Sequence, residues 1–253
     1  FKMIPFAEKL AKEYGAEHDA LLITEANNFN GVQWGKDKRY LRNNFTPASQ
    51  IASLFWDYYE FTGDEEFLKE RAYTFMKKAS HFYLDRLEWD EEKNEYFLKA
   101  SLYESAPIAY VKNPISDRNC IERLFKDCIR AAEILNVDKD EVKQWRHVLN
   151  HLWERGYQQF GECGEVISPA EEYYTEKRYS PWIWGNGGAV AFPAGLIGID
   201  DKDTRLGKAV VNLLKHDDEC NAHYPYPQIA ARMGEGEDRK STRQNSSHGV
   251  QSR

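Results

Sequence analysis

Glu104 stands in the run Leu102-Tyr103-Glu104-Ser105-Ala106-Pro107. Apolar neighbours destabilise an ionised carboxylate, so such a group is pushed toward the pKa a general acid needs. The alternative is a solvated loop glutamate. A second group runs from Thr24 to Gly35 and brings together Glu25, Asn27, Asn30 and Trp34. Flat ring faces beside amides and one acid are what a sugar pocket requires. The same composition also makes a turn for backbone reasons alone. Trp182, Trp184 and Asn186 repeat the combination, read either as a second sugar-facing cluster or as a loop anchored in the core by its tryptophans. Glu162, Glu165, Glu171 and Glu172 lie near Tyr173-Tyr174 and read mainly as a solvated acidic face, with a second reactive carboxylate as the sharper alternative.

Other chemistries fit poorly. His147 and His151 are spaced four apart on a helical pattern, but no Glu lies between them, so a zinc-protease reading fails. Ser101 and Ser105 have no GxSxG context. The glycines at 185–188 lack phosphate-loop spacing. Cys120, Cys128, Cys163 and Cys220 show no CxxC pair, so they read as buried free thiols without zinc. Neither a metal nor a cofactor is expected. The net charge is −7 with both signs interspersed, which argues against a nucleic-acid partner. No apolar run approaches the roughly 20 residues of a membrane span.

Helical periodicity supplies the frame for these groups. Ile4, Phe6, Leu10 and Tyr14 mark a first helix closed by Gly15. Thr46-Pro47 opens a second, with Thr46 as cap and Ile51, Leu54, Phe55, Tyr58 and Tyr59 as its apolar set. Asp64 caps a third, which carries Phe67, Leu68, Ala72, Phe75, Met76, Ala79, Phe82 and Leu87. A short β-hairpin is expected near 88–101, around the polar turn 89–94. Ser116-Asp117 opens a fourth helix (Ile121, Leu124, Phe125, Cys128, Ile129, Ala132, Leu135) and Asp138 a fifth (Val142, Trp145, Val148, Leu149, Leu152). Residues 157–184 read as irregular. Helices are expected over 188–199 and 204–215 as a third hairpin, and a loop entering a helix over 223–233.

The stretch Phe55-Trp56-Asp57-Tyr58-Tyr59-Glu60-Phe61-Thr62-Gly63-Asp64, with Ala72-Tyr73 and His81-Phe82-Tyr83 after it, resembles the six-hairpin glycosidases, and most closely glycoside hydrolase family 95. The segments 99–107, 117–135 and 230–236 fit the same family in order. The resemblance implies an all-α, incomplete (α/α)6 toroid with long loops over residues 1–237. It also implies a carbohydrate substrate, α-L-fucoside-like specificity, inverting acid–base hydrolysis and a secreted or periplasmic location. Glu104 falls where the family carries its catalytic acid. Residues 179–188 hold no His where the family has a His-rich segment. The family's asparagine pair, its water-activating aspartate and an N-terminal β-domain are expected outside this chain, so the chain alone is expected to be inactive. Related readings are an α-rhamnosidase, an α-galactosidase or a non-catalytic carbohydrate-binding homologue. Residues 238–253 have no apolar face, and the back-translation of Asp238 to His248 resembles a sequencing-library adapter. They are read as a non-native assembly scar, of the kind metagenomic sequences carry. Oligomeric state has no signature in the sequence.

Overall fold

Helix α1 (Ile4–Glu13) ends at Gly15, whose positive φ of 80° no β-carbon opposes. Its buried face is Ala7 and Ala11, whereas Phe6 is exposed, so the small residues meet the core. The computed structural model describes residues 3–24, 44–102, 110–174, 187–214 and 226–235. Helix α2 (Thr46–Thr62) has Thr46 inside the helix rather than at its cap. Asn44 takes the capping role: its Oδ1 accepts from the Thr46 N–H at 3.2 Å and from the Thr46 hydroxyl at 2.9 Å. The buried face of α2 is Ala48, Ser49, Ala52, Ser53 and Trp56, while the expected Leu54 and Tyr58 are exposed. A face of small residues lets a neighbouring helix approach closely, which an apolar-stripe count does not register.

Asp64 accepts from the Phe67 N–H at 2.9 Å, as expected of a cap. It opens α3 (Glu65–Phe67), a π-helical segment Leu68–Ala72, and α4 (Tyr73–Arg86). After α4, β1 (Glu88–Asp90) and β2 (Glu95–Phe97) form the expected hairpin, with Asn94 at φ 53° in its turn. Next come β3 (Lys99–Ser101) and β4 (Tyr110–Lys112), then α5 (Ile115–Leu135) and α6 (Lys139–Asn150).

Side-chain contacts fix the directions of these helices. Ser49 faces Cys120, Asp57 pairs with Arg123, and Glu60 pairs with Arg130. Successive positions of α2 therefore meet successive positions of α5, and the two run parallel. Tyr83 meets Asp117, and Ser80 meets Cys128, so α4 runs antiparallel to α5. Arg146 of α6 pairs with Glu133 across the α5–α6 turn. Two helical hairpins thus lie side by side with their leading helices parallel. One core fills the space between them, with Trp56, Leu68, Met76, Phe82, Phe125 and Trp145 at its centre.

A second core joins Ile115, at the start of α5, to β6 (Glu165–Ile167), α7 (Arg205–Leu214) and α8 (Tyr226–Arg232). The helix expected over 188–199 does not form. Residues 189–194 are turns, Phe192-Pro193 is cis, and Gly195 has φ 63°. Pro193 has no N–H to donate, and its ring excludes the preceding helical turn, so the third hairpin lacks its first arm. Thr204 caps α7 by accepting from the Gly207 N–H at 3.0 Å. A Cβ at Gly207 would lie 2.0 Å from the Asp201 carbonyl oxygen, so only glycine fits this crossing.

The domain is mostly helical, with small sheets. Besides β1–β2 it holds a three-stranded sheet, β3–β4–β7 (β7 is Glu172–Tyr173), and a pair β5–β6 (β5 is Tyr157–Gln159) inside the stretch read as irregular. These strands have two or three residues each, too short for a period-2 pattern to show. No helix among the described residues is long and apolar enough to cross a membrane.

Candidate active site

All eight residues chosen from the sequence, Glu104, Glu25, Asn27, Asn30, Trp34, Trp182, Trp184 and Asn186, lie outside the described residues, as do Cys220 and the segment 238–253. Their anchoring points are described. In the three-stranded sheet Ser101 pairs with Tyr110, and Val111 with Tyr173. The Tyr174 N–H donates to the Tyr110 carbonyl at 2.9 Å, and the two tyrosine rings lie 5.9 Å apart. The chain therefore leaves for Glu104 and for the Trp182–Asn186 cluster from one end of one sheet. Leu102 and Ser101 are buried there. The segment carrying Glu25 to Trp34 rejoins the fold at Asn44, the cap of α2.

The N-terminal ends of α2 and α5 share a buried polar cluster. Asp117 is fully buried on the first turn of α5. The Tyr83 hydroxyl donates to its Oδ1 at 3.2 Å and the Ser116 hydroxyl to its Oδ2 at 3.2 Å. Ser49 of α2 hydrogen-bonds with both Tyr83 and Cys120. Burial raises the Asp117 carboxyl to about 7, although the Ser116 and Tyr83 hydroxyls act against the rise. The positive end of α5 would also favour the anion, but a helix dipole contributes at most about 2 kcal/mol. Removing a carboxylate from water costs more than that, so burial decides. The Tyr83 hydroxyl and Cys120 thiol are likewise raised, first by burial, and all three groups sit in their neutral forms at acidic pH.

Sequence pattern places Asp117 at the opening of its helix. The actual cap position is Pro114, with no side-chain cap bond. The usable signal was periodicity: Asp117, Ile121, Leu124 and Cys128 fall on one helical stripe, which places a carboxyl on the core side.

Asp117 also contributes to pH dependence. Its folded pKa of about 7 lies above the ordinary 3.8, so the native state binds the proton more tightly than the unfolded chain. That stabilisation is complete below about pH 4 and is lost as pH rises through about 7. Urea denaturation of Asp117→Asn is expected to show a flatter profile from pH 4 to 7 than the parent. The difference grows to at most on the order of 4 kcal/mol. A parent profile no steeper than that of the variant would mean that Asp117 is ionised in the fold.

Two acids of the 162–172 patch are committed elsewhere. Glu165 makes two bonds of 2.8 Å to Arg205. Glu171 lines a cleft of about 500 Å³ together with Glu95, Asn113 and Trp153. Burial lifts the Glu95 carboxyl, while Lys93 and Asn113 hold Glu171 below its ordinary value despite its burial. Both Glu171 oxygens are occupied, by Lys93 at 2.6 Å and Asn113 at 2.5 Å, so it has the place of a structural ion pair. Cys120 and Cys128 are buried free thiols as expected, whereas Cys163 is half-buried. The rings of His147 and His151 lie 4.3 Å apart beside Trp89 and Tyr96. No group of three or more potential metal ligands occurs among the described residues.

Parallel leading helices with buried polar groups at their N-terminal ends are the features of a helical-hairpin domain. The family comparison gives this class its name. Residues 2–238 match the glycosyl hydrolase family 95 catalytic domain, and the chain belongs to that family. A relative, the protein-glucosylgalactosylhydroxylysine glucosidase of Dictyostelium discoideum, is 22% identical over 177 residues, covering 61% of this chain and 24% of the relative. The chain thus spans about a quarter of that protein's length.

Proposed function

We propose that the complete protein is an inverting glycosidase that removes a terminal sugar, α-L-fucoside-like, from an oligosaccharide or polysaccharide. The observation that carries this reading is the family match across residues 2–238. Glu104 is the general acid that protonates the leaving-group oxygen. A second group, unassigned in this sequence, directs water from the opposite face, with the two separated by about 6.5–9.5 Å. Glu25, Asn27, Asn30 and Trp34, together with Trp182, Trp184 and Asn186, line the sugar site. Sheet β3–β4–β7 anchors two of these three segments side by side. The domain closes as an (α/α)6 toroid, of which the parallel α2 and α5 are two leading helices.

A second reading, a glucosidase, is favoured by the name of the Dictyostelium relative. Aryl α-L-fucoside, α-L-rhamnoside, α-D-galactoside and α-D-glucoside should be assayed with the full-length protein, following the product anomer by proton NMR. Fastest release from the fucoside with an inverted first product is the expected result. Fastest release from the glucoside establishes the second reading. Binding of oligosaccharide without any hydrolysis makes the protein a non-catalytic homologue.

A further inference from the structure

Glu122, on α5, is surrounded by cations. Its Oε2 accepts from Arg118 Nη1 and Arg155 Nη2, both at 2.6 Å, and its Oε1 accepts from Lys126 Nζ at 2.6 Å. Burial would raise this carboxyl, but Arg155, Lys126 and Arg118 together bring it down to about 2. One fixed negative charge therefore faces three positive ones. The two guanidiniums are largely buried, with 12% and 14% of their side chains exposed. Burial, and then the neighbouring Arg155, hold Arg118 below its ordinary pKa. Like charges out of water and close together are costly unless anions balance them.

Donors are left over at the same place. Arg118 uses Nε on the Trp153 carbonyl at 2.7 Å and Nη1 on Glu122, which leaves Nη2 without a bond among the described residues. Arg155 uses Nη2 on Asn119 and Glu122, and among the described residues its Nη1 is left open and its buried Nε has no partner. Asn119 is fully buried. Its Oδ1 accepts from Arg155 at 3.2 Å, and its Nδ2 has no partner among the described residues. An unpaired buried donor costs about 1–3 kcal/mol. A buried water could serve the Asn119 and Arg155 Nε donors, but it would leave the charge excess unchanged. Arg118, Arg155 and Lys126 line a cleft of about 800 Å³ between α5, α6 and the Gly195-Leu196 turn. Its wall carries six basic side chains and four acidic ones, in a chain of net charge −7.

We propose that this cleft is an oxyanion site, in which Arg118, Arg155 and Lys126 bind the carboxylate or sulfate of an acidic saccharide or a free inorganic oxyanion. Glu122 holds the guanidinium planes in place beforehand, so they present paired donors to two oxygens at little ordering cost. The site stands on the face of α5 and depends on none of the residues assigned to glycoside hydrolysis.

The test is calorimetric titration of the purified chain with sodium sulfate, sodium glucuronate and glucose, at an ionic strength held constant with chloride. Saturable binding of one or both anions, and none of glucose, is expected. Glucuronate binding at least about tenfold tighter than sulfate identifies an acidic saccharide as the ligand; equal binding identifies a free oxyanion. Arg155→Lys is expected to weaken binding about tenfold or more, since Lys cannot reproduce the planar fork. Lys126→Ala, at a half-exposed position that leaves the core untouched, should weaken it about threefold. Heats indistinguishable from chloride, or affinity unchanged in Lys126→Ala and in any folded Arg155→Lys, overturn the proposal.

Discussion

Replacing Glu104 by Gln in the full-length enzyme is expected to lower kcat by about 10²–10⁴-fold, the usual contribution of a positioned general acid. Gln keeps the size and shape of Glu but has no proton to give to the leaving oxygen, so thermal stability and sugar binding should stay near the parent values. The loss should shrink with aryl glycosides whose leaving phenol is acidic, because such a group departs without protonation. This dependence separates the acid from a residue that only positions the sugar. A variant with parent-like kcat on a poor leaving group would remove Glu104 from the mechanism. The β3–β4 strands on either side of residue 104 are fixed by cross-strand pairs from Lys99↔Lys112 to Ser101↔Tyr110. A single polar change between them leaves the ladder intact.

The second large effect concerns Trp145. It is fully buried on α6, and its indole N–H donates to the Ser80 hydroxyl of α4 at 3.1 Å. Ser80 in turn donates to the Lys77 carbonyl at 2.7 Å. Trp145→Ala removes the contact that seats the α5–α6 hairpin against α4 and leaves a cavity, at an expected cost of about 3–5 kcal/mol. In a domain of this length each kcal/mol lowers Tm by about 2–4 °C, so a fall of about 10 °C is the expected thermal readout. Trp145→Phe keeps most of the volume and loses the hydrogen bond, and should cost about 1–2 kcal/mol. If Trp145→Ala unfolds within about 1 kcal/mol of the parent, the hairpin is not held at this point.

Local signals in the sequence determined the helical frame. Asp64 as a cap, Gly15 and Gly63 as left-handed ends, and the apolar stripe from Ile121 to Ala132 each act within one or two turns. Such features depend on neighbouring residues rather than on the fold. The same is true of the hairpin turn at Asn94. The family resemblance, carried by residues 55–64 and 72–83, belongs to this layer too, because it rests on a helical hairpin. The family match now covers residues 2–238.

What periodicity did not decide was which face of α2 is buried. On α2 the core side is Ala48, Ser49, Ala52 and Ser53 rather than Leu54 and Tyr58, because a parallel neighbour lies close against it. The helix expected at 188–199 gave way to turns around Pro193, and β7 is a strand only because it pairs with β4, from which it lies about sixty residues away in the chain. The neutral state of Asp117 and the excess of cations around Glu122 are tertiary properties in the same sense. A carboxyl or guanidinium on a helix pattern carries no sign of how much water it will keep. That depends on which helices close over it, and desolvation and neighbouring charge set its chemistry only once they have.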